Sequence, residues 1–312
     1  MLSKIPTEAD SPWHAGEIAL QQQAGVAVRM DEIGRRVLRD HLIDQHRAFY
    51  TQLPFVVLGT VDDAGNAWAS LRAGQPGFLQ SPDPHSLCVT LGRAPDDPAD
   101  MGMEDGQAIG LLGIELQTRR RNRLNGTIRR EGPGRFEIEV GQSYGNCPRY
   151  IQPRDFAFTR APSMPSSAGP AWLDHLDPPA RRLIGEADTF FVASYADPEQ
   201  KGRQVDVSHR GGAPGFVRIG EDGALTIPDF AGNLFFNTLG NILINGRAGL
   251  VFADFETGEL LQLSGLAEVI PEGPEVASFP GAERLWRFTP RHIVRRPDVL
   301  PLRMHALPAR HR

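Results

Sequence analysis

The sequence predicts a mainly β protein with flanking helices, in which one antiparallel domain of barrel or sandwich type is written twice. Three observations predict it. Ser70-Leu71-Arg72-Ala73-Gly74-Gln75-Pro76-Gly77-Phe78 returns as Ser208-His209-Arg210-Gly211-Gly212-Ala213-Pro214-Gly215-Phe216, with six of nine positions identical. Downstream, the stretch from Gly110-Leu111-Leu112 to Leu124-Asn125-Gly126 is echoed, at almost the same spacing, by that from Gly249-Leu250-Val251 to Leu263-Ser264-Gly265. Between these echoes lie many short apolar runs broken by Gly, Pro and Asp turns, with few long helical patterns and no dinucleotide or P-loop fingerprint. Ordered echoes at one spacing indicate duplication, and 312 residues suit two domains of roughly 150 each.

The elements follow in order. Residues 1–30 are polar, with Pro6, Pro12 and Trp13, and read as an arm. From Asp31 the spacing of Ile33, Val37, Leu38, Leu42 and Phe49 predicts one amphipathic helix to about Tyr50, which Pro54 ends. Strands are then expected at 55–61, 67–72, 78–79, 86–91, 107–114, 124–130 and 135–140. Their turns are marked by Asp62-Asp63-Ala64-Gly65-Asn66, the repeated Gly-x-Pro-Gly and Glu131-Gly132-Pro133-Gly134. The first domain is thus 31–160. A proline-rich stretch over 161–179 reads as a linker, and 180–312 as the second domain. There a short helical lead-in precedes strands at about 189–195, 204–209, 216–219, 224–227, 248–253 and 260–270.

Composition narrows the function. Charged residues are 23% and hydrophobic ones 40%, the balance of a soluble globular chain. A net charge of −5 gives no reason to expect nucleic acid or an anionic membrane as partner. Cys88 and Cys147 alone support neither a disulfide framework nor a zinc site, no histidine cluster points to a metal, and Met1 to Asp10 lacks the apolar core of a signal segment. A cytoplasmic protein is the expectation.

The second half, from Asp188 to Ile270, resembles the pyridoxamine 5'-phosphate oxidase-like family of FMN-binding split barrels. The resemblance is carried by Arg203-Gln204-Val205-Asp206-Val207-Ser208-His209-Arg210-Gly211-Gly212, by Leu225-Thr226-Ile227-Pro228-Asp229-Phe230, and by the run from Gly232-Asn233-Leu234 through Phe236-Asn237-Thr238-Leu239-Gly240-Asn241. It implies a small antiparallel barrel that binds FMN at an interface between two barrels. A chain with two barrels can supply both faces as an intrachain pseudo-dimer, acting as a monomer or pairing further as a homodimer. It also implies an oxidoreductase that passes hydride or electrons between NADH or NADPH and a small-molecule substrate. The alternatives within the resemblance are a flavin-binding sensor or carrier without turnover, or a barrel that uses deazaflavin F420 or haem. The Arg-x-His substrate signature of the name-giving oxidases is not reproduced by Arg291-His292 or Arg295-Arg296.

For an FMN phosphate the resemblance nominates Arg203, Val207, Ser208, His209, Arg210, Thr226, Asn233, Asn237 and Thr238. Arg forks, hydroxyls and amides are the groups a phosphomonoester needs. Strand alternation puts Ser208 and Arg210 on one face and His209 on the other. From the first half, Arg121 and Arg123 in the run Arg119-Arg120-Arg121-Asn122-Arg123 are expected near the cofactor, and Tyr144-Gly145-Asn146-Cys147-Pro148-Arg149-Tyr150 as a turn or cleft wall with Tyr144 stacking. Arg287 could reach an anion, although Trp286 and Phe288 beside it read as core. The first half keeps Ser70 and Arg72, but the acidic stretch around Met101-Gly102-Met103-Glu104-Asp105-Gly106 makes a poor phosphate cradle, so one phosphate site is expected, on the second half. No catalytic residue is singled out.

Overall fold

The structure, a computed structural model, describes residues 11–164, 166, 168–198 and 202–307. The first ten residues of the arm lie outside these. In order, the elements are α1 (Ala15–Gln23), α2 (Ala27–Val37), α3 (Asp44–Thr51), β1 (Phe55–Val61), β2 (Ala67–Ala73), β3 (Leu79–Gln80), β4 (Ser86–Val89), a 3-10 turn (Pro98–Gly102), β5 (Ala108–Glu115), β6 (Arg120–Gly132) and β7 (Arg135–Gly145). Then come β8 (Arg154–Phe158), β9 (Ala171–Leu173), α4 (Pro178–Glu186), β10 (Thr189–Ala196), β11 (Gln204–Gly211), β12 (Arg218–Ile219), β13 (Leu225–Phe230) and α5 (Asn237–Asn245). The chain ends with β14 (Arg247–Ala253), β15 (Leu260–Ile270), α6 (Pro274–Ala277), β16 (Ala282–Arg296) and β17 (Leu302–Ala306).

Two antiparallel sheets carry the fold, one ordered β2-β1-β5-β6-β7-β4-β3 and the other β11-β10-β14-β15-β16-β13-β12. The two orders are the same, strand for strand. Even the irregularities agree, because the register slips at Asn125/Gly126 between β6 and β7 and at Ser264/Gly265 between β15 and β16. Each slip requires glycine: a Cβ on Gly126 or Gly265 would lie 2.1 Å from the carbonyl oxygen of Glu139 or Thr289. The chain is therefore two tandem split barrels, and the echoes in sequence mark equivalent strands.

Each barrel has its own core. Leu58, Leu87, Leu111, Leu124, Phe136 and Ile138 fill the first, and Phe190, Leu225, Leu250, Leu263, Trp286 and Phe288 the second. A third cluster joins them, with Phe55, Val57, Leu71 and Leu112 from one barrel against Phe191, Val207 and Val251 from the other. Burial of this shared apolar face, at about 25 cal/mol per Å², makes one body of the two barrels.

The approach has an approximate two-fold pattern. A Cβ at Gly110 on β5 would lie 2.7 Å from the Val205 carbonyl oxygen on β11, and one at the equivalent Gly249 on β14 would lie 2.2 Å from that of Ala67 on β2. Gly249→Ala is expected to destabilise by ~1–3 kcal/mol, because backbone opposes the new methyl. Gly134→Ala, with open space around it, should change stability far less; urea midpoints of the two variants check this.

Three sequence expectations need correction. The helix expected over 31–50 is two helices, α2 and α3, because Arg39 pairs with Ser143 as an isolated β-bridge between them. The described part of the stretch read as an arm folds as α1 and the first turn of α2, with Trp13, Ile18 and Met30 buried against Tyr144 and Phe235. Its apolar residues are too sparse to show a period, and a capping box of His14 and Glu17 starts α1. The stretch assigned as linker contains β9, which pairs with β16, while β8 pairs with β17 near the C-terminus. Long-range pairing of such short strands has no local signature. Among the described residues no helix is long and apolar enough to cross a membrane.

Candidate functional site

A cleft opens where β11 of the second barrel meets the end of β7 and the arginine-bearing part of β6 in the first. Its lining includes Arg121, Arg123, Asn146, Cys147, Arg149 and Tyr150 from the first barrel, and Ser208, His209, Arg210, Asn233, Asn237, Thr238 and Arg284 from the second. The first barrel reaches β11 closely: Gly211 has no room for a Cβ, which would lie 2.2 Å from the Tyr150 carbonyl oxygen. Leu112, Phe216, Pro228, Phe230 and Phe236 add apolar wall, and the Tyr150 and Phe230 rings are tilted against each other at 5.4 Å.

One end of the cleft is the N-terminus of α5. Phe236, its N-cap, is left-handed at φ 63°, and no side chain caps the helix. Leu234 shares that conformation, as does Tyr150 on the opposite wall. Bulky residues are rarely held there, and such strain gathers where a backbone is shaped for a ligand. The uncapped first-turn N–H groups of α5 carry the positive end of the helix dipole.

Around that end stands a buried polar network. Arg123 donates to Asp206 (2.9 Å), to the Tyr144 hydroxyl (2.8 Å) and to Ser208. Thr238 donates to Ser208 (3.0 Å), and Tyr144 to the side-chain Oδ1 of Asn237 (3.1 Å). Asp206 also accepts from Asn125 and Asn241. Burial works against the charge of Arg123, but Tyr144 and Asp206 outweigh it and raise its pKa. Arg210 and Arg284 share Asp229, each at 2.7 Å.

The balance of charge is strongly positive. Five arginines line the cleft with only Asp229 and Glu283 among the carboxylates. Arg121 is the least compensated: its Nε donates to the Cys147 carbonyl (2.7 Å) and its Nη1 to that of His209 (3.5 Å), and among the described residues no carboxylate pairs with it. Burial, then Arg123 and Arg210, lower its pKa to about 10. His209 is fully buried, and burial followed by Arg121, Arg210 and Arg154 holds it neutral, well below the ordinary histidine range. Several donors have no hydrogen-bond partner: Arg123 Nε, Arg210 Nε and Asn146 Nδ2. Orphaned donors cost free energy unless a ligand meets them.

The structure brings together Arg121, Arg123, Ser208, His209, Arg210, Asn233, Asn237 and Thr238 in this one cleft. It separates three other nominated residues. Arg203 turns away to pair with Asp197 at 2.8 Å and to cover the Tyr195 ring. Val207 faces the apolar junction of the barrels, as strand alternation from Ser208 requires. Thr226 lies on β13 between Arg218 of β12 and Arg287 of β16, outside the lining. Tyr144 is no stacking group, since it is wholly buried beneath the cleft and orients Asn237. Arg287 pairs with Glu275, and it is Arg284, three residues earlier on β16, that reaches the cleft. Sequence reading missed Arg284 because β16 was not foreseen, and without its register against β13 nothing links Arg284 to Asp229.

Glu17 joins the network from α1, hydrogen-bonded to Asn237 and to the His14 backbone N–H. Burial, then the nearby Asp206, raise its carboxyl from the ordinary 4.5 to about 8. A raised folded-state pKa means the folded state holds the proton more tightly, so the stability this group contributes is complete below about pH 4.5 and lost as pH rises through 8. Glu17→Gln should therefore flatten the loss of stability over that window and leave the variant more stable than the parent above it. Urea unfolding at several pH values measures this.

No protein-family model matches the chain, and no curated protein does. Solved structures do. The HupZ protein of Group A Streptococcus matches at 16% identity and TM-score 0.31, covering 39% of this chain and 99% of its own. A putative pyridoxamine 5'-phosphate oxidase from Lactobacillus delbrueckii matches at 17% and 0.28, covering 34% and 95%. A FAD-binding protein from Mesorhizobium loti matches at 12% and 0.29, covering 40% and 96%. These matches include proteins of the kind that the second half resembles in sequence. Each spans well under half of this chain, and at such TM-scores the fold rests on the chain's own duplicated strand order.

Proposed function

We propose that the chain is a flavin-binding protein that holds one FMN, with its phosphate at the N-terminus of α5 and its ring against the wall that Tyr150 and Phe230 form together. The observation that carries this reading is the set of partnerless donors, Arg123 Nε, Arg210 Nε and Asn146 Nδ2, on residues that line a cleft in which, among the described residues, no carboxylate pairs with Arg121. A dianionic phosphomonoester meets such a set through charge-assisted hydrogen bonds. Ser208, Thr238 and the first-turn N–H groups of α5 fit the same ligand. Bound flavin supplies hydride or electron transfer, and the protein supplies binding, orientation and electrostatics. Here the arginines favour negative charge near the ring, and the fully buried Tyr144 and Arg123 hold Asn237 and Ser208 in place. The working role is an oxidoreductase between NADH or NADPH and a small molecule.

The test is spectroscopic. Incubation with FMN, followed by desalting, is expected to leave a yellow protein whose visible band bleaches with one of the two nicotinamides under anaerobic conditions. A colourless protein refutes flavin binding, and a band that neither nicotinamide bleaches refutes turnover with these donors while favouring a carrier. Uptake of haem or deazaflavin in preference to FMN would assign the cleft to that group.

A further inference from the structure

The duplication builds the anion locus twice, and in the first barrel a side chain of the protein itself fills it. Register fixes the correspondence. Ser70 faces Leu58 as Ser208 faces Val192, so Arg72 on β2 stands where Arg210 stands on β11. Arg123 lies opposite Leu112 and Tyr144, and Gln262 opposite Val251 and Val294, so Gln262 is the counterpart of Arg123. Two residues beyond Tyr144 and Val294 come Asn146 and Arg296, which therefore correspond. The 3-10 turn between β4 and β5 takes the place of α5 between β13 and β14.

At the start of that 3-10 turn is Asp97, fully buried. Its carboxylate accepts from Ser70 Oγ (2.5 Å), Gln262 Nε2 (3.0 Å) and the Ala99 backbone N–H (3.1 Å). Arg296 Nη1 lies at 3.1 Å and Arg72 Nη1 at 3.8 Å. Burial alone would raise its pKa, but Arg296 and Arg72, with Ser70 and Gln262, outweigh it and keep the group ionised. A hydroxyl, two guanidinium groups, an amide and a helical N–H are the donors of an oxyanion site. Both sites leave guanidinium donors without a partner, Arg72 Nη1 and Arg296 Nε here, Arg123 Nε and Arg210 Nε in the second barrel; the difference is that Ser70 donates to a carboxylate, whereas its counterpart Ser208 accepts from Arg123 and Thr238.

We propose that the first barrel is an anion site that carries its own anion: the Asp97 carboxylate occupies the place that a phosphate group takes in the second barrel. Two consequences follow, resting on the anion-binding part of the reading above. Asn146, the counterpart of Arg296, is a phosphate ligand in the working cleft. Removal of the Asp97 carboxylate and its volume opens a second phosphate site in each chain.

The experiment uses the full chain and inorganic phosphate, counted by equilibrium dialysis and followed by thermal unfolding against chloride at matched ionic strength. The parent is expected to bind one phosphate and Asp97→Ala two, with a phosphate-dependent rise in Tm larger than the parent's. Asp97→Asn, which keeps the site filled, should stay at one. Asp97→Ala/Arg210→Ala should return to one, held in the first barrel. One phosphate on Asp97→Ala with no added response in Tm overturns the proposal, as does an Asp97→Ala chain that fails to fold in both phosphate and chloride. A chain that folds only in phosphate supports it. If the parent binds none and Asp97→Ala one, the plugged site stands and the phosphate assignment in the second barrel falls.

Discussion

Arg210→Ala is expected to weaken FMN binding by ~1.5–3 kcal/mol, roughly tenfold to a hundredfold, through loss of a charge-assisted contact to the phosphate. Arg72→Ala, its counterpart in the first barrel, should leave FMN affinity nearly unchanged, since Arg72 faces Asp97 and Asp100 and donates to the Gly92 carbonyl. Quenching of flavin fluorescence on titration separates the two variants. Equal losses would mean that the two barrels bind alike, and the asymmetry argued from Asp97 would be wrong.

Arg123→Ala is expected to carry the largest cost in stability. Arg123 is 3% exposed and spans the two barrels, reaching Asp206 and Ser208 on β11 from its own place on β6. Removing one partner of a buried ion pair leaves the other charged and unpaired, at ~3–5 kcal/mol. Asp206 keeps Asn125 and Asn241, so a value near the lower end is anticipated from urea unfolding. Addition of Asp206→Asn should recover part of the loss, because the two residues share one interaction. Strict additivity of the two substitutions would show that Arg123 acts otherwise than through Asp206.

These expectations draw on features that were unequally visible in the sequence. The duplication could be read because glycines at the register slip and at the approach of the barrels tolerate no other residue, so Gly110, Gly126, Gly249 and Gly265 recur in place. Ser208 and Arg210 were nominated by the family resemblance, and alternation along one strand put them on one face. Asn146 lay in a segment read as a turn or cleft wall, whereas Arg284 was missed, since it depends on the register of a strand distant in sequence. The inequality of the halves, which the sequence reading placed in the acidic stretch, is proposed here to rest on a different residue. Within the stretch from Met101 to Gly106, Glu104 pairs with Arg93 at the surface, while Asp97, a few residues earlier, accepts from Ser70. Helix α1 left no trace in periodicity, because the few apolar residues around it, Trp13 and Ile18 among them, are buried against Tyr144 and Phe235, two chain segments that only the fold brings together.

The central claim is one working anion site, shared between two barrels of one chain. The molar ratio of FMN to chain, measured on protein saturated with FMN and freed of excess, tests it most directly. A ratio of one is predicted, with the phosphate at Arg210 and the α5 N-terminus. A ratio of two, or no bound FMN at all, would contradict it.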